Sequence, residues 1–140
     1  MRNKRADNLI KILASSSPKI RNRVALKLKD LKYNQAVKPL LSAIFKKGNR
    51  HYNGTLVYAL QDLDCSHYLK EIFQILFFEG YEAKYMAYQI LYNQEFIFTK
   101  KDLLKIQKTY QEFSKIAPRN DDETNEMILA TFEGFISYLE

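Results

Sequence analysis

The chain has 140 residues, 46% of them hydrophobic and 14% aromatic, which is too apolar for a disordered segment and sufficient for one domain with its own core, but not for two. No apolar run approaches the roughly eighteen residues that a membrane helix needs, and the basic start Met1-Arg2-Asn3-Lys4-Arg5 leads into an amphipathic stretch rather than the apolar centre of a secretory signal, so a cytoplasmic protein is expected. The net charge of +6 is unevenly spread, with residues 1–70 carrying +11 and residues 71–140 carrying −5, so the two halves present opposite potentials to a partner.

Taken in order, Leu9, Ile10, Ile12 and Leu13 predict an N-terminal helix over about 4–14, which reads as half a repeat covering the next pair. Ser17 is then a good N-cap and Pro18 suits the first helical position, while Ile20, Val24, Leu28 and Leu31 fall at helical spacing. After Lys32-Tyr33-Asn34, a second apolar stripe of Val37, Leu40, Leu41, Ile44 and Phe45 is closed by Gly48. These are helices A and B of a repeat over about 18–47.

Shifting the frame by thirty-two residues repeats the pattern. Leu28, Asp30 and Leu31 fall on Leu60, Asp62 and Leu63, and the B stripe falls on Leu69, Ile72, Phe73, Leu76 and Phe77. That is repeat two, about 50–78. A third helix A follows Gly80, with Ala83, Met86, Ala87, Ile90 and Leu91, and its longer helix B runs from about 99 to 116. A helix pair of this length cannot bury its apolar face alone, so copies must stack, and about three suffice.

Gly48-Asn49 and Glu79-Gly80 are the joints, where glycine is expected to take positive φ, and Gly54 lies inside a helical pattern where close helix approach would explain it. Residues 94–98 read as a loop or distorted turn. The last joint, Pro118-Arg119-Asn120-Asp121-Asp122-Glu123, leads into a final helix over about 122–138 that carries Met127, Ile128, Phe132, Phe135, Ile136 and Leu139. The expectation is all-α, with about eight helices and no strand, in a single domain over 1–140.

The run from Pro18 to Leu31, followed by Gln35-Ala36-Val37-Lys38-Pro39-Leu40-Leu41, is similar to the HEAT repeat, especially the short bacterial form related to phycobilisome lyase repeats. Arg21, Ala25, Leu28, Val37, Pro39 and Leu40 sit where that pattern wants them; repeat two lacks the arginine and the proline. The resemblance implies a right-handed α-solenoid of about three HEAT-like helical hairpins with capping helices. It further implies a concave surface lined by B helices and a role in binding another macromolecule. HEAT-like DNA glycosylases are an enzymatic precedent, but they work with tryptophans, and this chain has none.

Nothing in the residues points to catalysis. His51 and His67 stand sixteen apart with no further ligand at helical or turn spacing, which argues against zinc. Cys65, the one cysteine, excludes an internal disulfide and has no base in view. The carboxylate groups Asp62 with Asp64, and Asp121 with Asp122 and Glu123, sit at helix ends, where capping explains them. There is no glycine-rich phosphate loop and no nucleophile elbow. No enzyme, cofactor or metal is expected.

Two surfaces are candidates for a partner. Tyr81, Tyr85, Tyr88 and Tyr92 share one face of the third helix A; the register equates them with Lys19, Arg23, Leu26 and Asp30 in repeat one and with His51, Thr55, Tyr58 and Asp62 in repeat two. These equivalents are mostly polar, so the stripe is predicted to lie beside the core, either as an interface or as a seam against the third helix B. The second candidate is the concave face, where Lys38 and Lys70, Ser42 and Gln74, and Lys46 and Phe78 form a ladder of rungs or a merely solvated face. The expected function is a protein-binding module, and more narrowly an immunity protein that neutralises a co-encoded bacterial toxin as in contact-dependent inhibition. The bias toward Lys, Asn, Ile, Tyr and Phe resembles horizontally acquired genes of that kind. The alternative is a nucleic-acid-binding protein that uses the basic half.

Overall fold

The computed structural model describes residues 3–119 and 121–140. Met1 and Arg2 of the basic start, and Asn120 of the last joint, lie outside the described residues. Among the described residues there are eight α-helices and no strand: α1 (Lys4–Ile12), α2 (Pro18–Asp30), α3 (Val37–Phe45), α4 (Gly54–Ala59), α5 (Leu69–Phe78), α6 (Tyr81–Asn93), α7 (Lys100–Ile116) and α8 (Asp122–Ile136). Short 3₁₀ turns precede α3 and extend the C-terminal ends of α4 and α8.

Local chemistry explains where several helices start. The Ser17 hydroxyl accepts from the Ile20 N–H and Pro18 takes the first turn of α2, and Thr99 with Asp102 forms a reciprocal capping box at α7. The α8 start is held by Asp121, whose carboxylate accepts from the Thr124 N–H, with Asp122 and Glu123 against the positive end of the helix.

The helices pack in a regular order. α1 lies on α2, α2 on α4, α4 on α6 and α6 on α8, while α5 lies along both α6 and α7. The buried apolar residues form one cluster that runs from Ala6 to Phe132. Its densest part is aromatic. Phe77 stacks on Phe113 with centroids 5.4 Å apart and touches Phe73, Tyr110 and Phe132, and Tyr110 stacks on Phe132 at 4.2 Å.

Several expectations are corrected. The inward face of α2 is Arg21, Val24, Ala25 and Leu28, whereas Ile20 and Leu31 are 45% and 38% exposed. This is the face that α2 packs against α1 and α4, and buried Arg21 reaches back within it to donate to the Ser15 carbonyl at 2.8 Å. Gly54 is the first residue of α4, not an interior one, and a Cβ there would meet the Glu82 side chain at 2.5 Å. Neither Gly48 nor Gly80 takes positive φ. The left-handed residue among those described is Lys32, at φ 51°, where the Tyr33 N–H reaches the Leu28 carbonyl and the Lys32 N–H reaches Lys29. The first and last helices also end two residues earlier than predicted.

Side-chain amides tie one repeat to the next. Asn53 donates to the Ile44 carbonyl at 3.1 Å and to Glu79 at 2.7 Å, and Asn49 donates to the Ala43 carbonyl at 2.8 Å, so the C-terminal end of α3 is capped from outside the helix. Gln94 does the same for the turn after α4. Its amide donates to the carbonyls of Leu60, Gln61 and Leu63 at 3.0–3.3 Å, and its oxygen accepts from the Cys65 N–H at 3.0 Å. Replacing Gln94 with alanine leaves these groups without that partner and is expected to cost about 1–3 kcal/mol, measured by urea unfolding. A cost below about 0.5 kcal/mol, within the range of ordinary surface substitutions, would contradict it.

Candidate functional site

The tyrosine stripe forms because α6 is helical throughout and its small and aliphatic residues, Ala83, Ala87, Ile90 and Leu91, turn inward. The spacings of four, three and four leave the tyrosines on an adjoining face. Tyr81, Tyr85 and Tyr92 are 69%, 43% and 77% exposed, whereas Tyr88 is half-buried against the core. The rings of Tyr85 and Tyr88, and of Tyr88 and Tyr92, lie 6.2 Å apart at shallow angles, making a ladder of three.

The ladder faces α8. Tyr88, Leu91 and Tyr92 form one wall of a pocket of about 370 Å³ whose other wall includes Thr131, Gly134 and Tyr138. Tyr81 and Tyr85 line a second pocket of about 280 Å³ with Asp121, Glu123 and Met127. The two pockets share no lining residue but follow one another in residue order along both α6 and α8. The expected seam with the third helix B, α7, involves Tyr81 alone of the four, which also lines a pocket with Phe113 and Ile116.

Tyr58 belongs to a different place. It is on α4, and the Lys29 ammonium from α2 sits 4.8 Å over its ring while donating to Asp62 at 2.8 Å. That hydrogen bond holds the Asp62 carboxyl below, and the Lys29 ammonium above, their ordinary values.

The residues expected to form a ladder of rungs look at separate neighbours. Lys38, Ser42 and Lys46 are exposed, and Ser42 and Lys46 line a pocket with Ile10, Leu13 and Ala14 of the α1 end. Lys70 and Gln74 are exposed and face Lys105, Ile106 and Thr109 of α7, with Lys70 also 3.4 Å from Asp102. The Asp102 carboxyl is held below its ordinary range by the Thr99 N–H first, and by Lys70 after that. Phe78 is half-buried, edge-on to Phe77 and Phe113.

Lys84 is the one cation of α6, and it is used internally. Its ammonium donates to the Phe77 carbonyl at 2.9 Å and lies 4.9 Å over the Phe113 ring, and burial pulls its pKa down against the pull of Asp121 and Glu79. The periodicity alone did not reveal this, nor that α8 would supply the second wall. The signal available was Gly134 and Tyr138 spaced four apart in the final helix.

His51 and His67 are exposed, and among the described residues no group of three potential metal ligands exists. Cys65 is fully buried, its thiol 3.5 Å from the Leu60 carbonyl, and burial pushes its pKa up to about 12. A folded value above the ordinary 9.0 means that the thiol's contribution to stability is intact below about pH 9 and is lost as pH rises toward 12. Cys65 is therefore expected to resist an aromatic disulfide reagent at pH 8, labelling only at the rate of global unfolding; prompt labelling of the folded chain would contradict this.

Comparisons with protein-family models, with curated proteins and with solved structures returned no match, so the HEAT-like reading rests on the residues of the 18–41 stretch.

Proposed function

We propose that this chain is a non-enzymatic protein-binding module that uses the α6/α8 face, and more narrowly an immunity protein that neutralises a co-encoded bacterial toxin, such as a nuclease, by covering its active site. The observation that carries the binding reading is the tyrosine ladder: ordered, largely exposed rings beside open pockets. Tyrosine offers apolar area and a hydrogen-bonding tip at small entropic cost, which suits an interface. The narrower reading draws on the opposed charges of the two halves and on the compositional bias.

The architecture proposed for it is a right-handed α-solenoid of about three HEAT-like hairpins, capped by α1 and α8. The row α2, α4, α6 supports it. The test is to express the tagged chain in its native host and compare capture by the wild type with capture by a Tyr81→Ser, Tyr92→Ser variant. The expected catch is a protein whose expression arrests growth, with relief by the wild-type chain alone. A partner without toxicity would sink the immunity reading, and equal capture by both forms would sink the site.

A nucleic-acid role has one observation in its favour: Lys19, Arg23 and Lys27 are exposed on one side of α2. Duplex affinity that falls steeply with salt would establish that role, and its absence would dismiss it.

A further inference from the structure

Resting on the reading of the α6/α8 face as a protein-binding surface, we infer that the groove takes a basic amphipathic helix of its partner. Three observations converge on that occupant. Taken together as one groove, the two pockets place Tyr81, Tyr85 and Met127 at one end, beside the polar Asp121 and Glu123, and the largely apolar wall of Leu91, Tyr92 and Tyr138 at the other. The eleven steps from Tyr81 to Tyr92 rise by about 16 Å, the length of roughly three turns of a partner helix presenting anchors at spacings of three and four.

The charged side chains that line the two pockets are the acidic Asp121 and Glu123, while Arg50 and Lys84 line the neighbouring pocket that shares Tyr81 and Asp121. α8 carries exposed Asp122, Glu123, Glu126 and Glu133 and no Lys or Arg. The first two suit the helix N-terminus, but Glu126 and Glu133 lie beyond the first turn, where the helix itself gains nothing from them. The one cation of α6, Lys84, is turned to the Phe77 carbonyl and the Phe113 ring. A basic segment complements this rim, while an acidic one would be repelled.

Gly134 supplies the third observation. It lies in α8, exposed, on the wall of the larger pocket, and a Cβ there would meet nothing within 4 Å. Glycine weakens a helix, and neither sterics nor positive φ within this chain requires it. A helix approaching closely over the groove does require a small residue there.

The test uses synthetic peptides of roughly fourteen residues, long enough for four turns: one of Leu and Lys in amphipathic order, its Leu and Glu counterpart, and a Lys and Ser peptide of equal charge. The Leu/Lys peptide is expected to bind the full chain and to weaken at least about tenfold when salt rises from roughly 0.05 to 0.5 M. The other two are expected not to bind. Gly134→Leu fills the groove and is expected to abolish binding with helicity and melting temperature retained; Gly134→Ala, which adds a single methyl, keeps the fold and serves as the control.

Equal binding of the Leu/Glu or Lys/Ser peptide, or binding indifferent to Gly134→Leu, overturns the inference. So does concentration-dependent self-association through the basic α2 face that Gly134→Leu removes, because the occupant is then a second copy. The captured natural partner separates this inference from the reading beneath it. If its capture depends on Tyr81 and Tyr92 but the Leu/Lys peptide does not compete, the basic-helix occupant is wrong and the binding face stands. If capture is indifferent to both tyrosines, the face itself is wrong.

Discussion

Replacing Phe77 with alanine is expected to destabilise the protein by about 3–5 kcal/mol, the largest effect of any single core truncation here. Phe77 is 1% exposed, and its ring contacts those of Phe73, Phe78, Tyr110, Phe113 and Phe132. These rings come from α5, α7 and α8, so the side chain joins α5 to α7 and to the final helix. Deleting it loses the transfer free energy of the ring and leaves a cavity that several rigid aromatic neighbours cannot close. Against a total stability of about 5–15 kcal/mol, that loss removes a large fraction of the margin. Urea unfolding should show a lower midpoint at unchanged slope, and Phe77→Leu should cost distinctly less. A loss under about 1 kcal/mol, the centre of the distribution for ordinary substitutions, would mean that the aromatic cluster is not the keystone of this end.

Converting Tyr81 and Tyr92 to serine is expected to leave the fold alone and to destroy partner binding. The two rings are 69% and 77% exposed, so each substitution should change stability by no more than about 0.5 kcal/mol. Interface anchors of this type cost about 2 kcal/mol or more when truncated, which is roughly a thirtyfold loss of affinity for each ring. Calorimetric titration against the captured partner, with circular dichroism as the control, measures both effects. Tyr88→Ser behaves differently. That ring is half-buried between its neighbours, so it should lower the melting temperature as well as affinity, and its effect on binding is not separable from its effect on α6. Unchanged affinity in the double variant would remove the α6 face from consideration.

The elements legible in the sequence are those whose causes are local. Ser17 with Pro18 acts within one helical turn, so it marked the start of α2 correctly, and the capping box of Thr99 with Asp102 is as local a cause at the start of α7. The helical spacing of α6 was legible for the same reason. It placed Tyr81, Tyr85, Tyr88 and Tyr92 on a common face because helical spacing alone decides which residues of one helix are neighbours.

Other features depended on what arrived from elsewhere in the chain. Ile20 and Leu31 are as apolar as Leu28, and only the positions of α1 and α4 decide that Leu28 is enclosed and the other two are not. Gln94 reads as an unremarkable loop polar residue until three carbonyls some thirty residues away come within reach of its amide. Lys32, rather than Gly48 or Gly80, takes the left-handed conformation, at the C-terminal end of α2 where the Tyr33 N–H reaches the Leu28 carbonyl.

The candidate site divides along the same line. By itself the sequence determined an all-helical chain, the face shared by the four tyrosines and the opposed charges of the two halves, since these follow from periodicity and counting. Tertiary structure alone decided that α8 lies beside that face, that Lys84 turns away from it, and that Gly134 opens one wall. Those facts depend on how separate helices are carried together by a common aromatic core, and the spacing within any one helix holds no information about its neighbour.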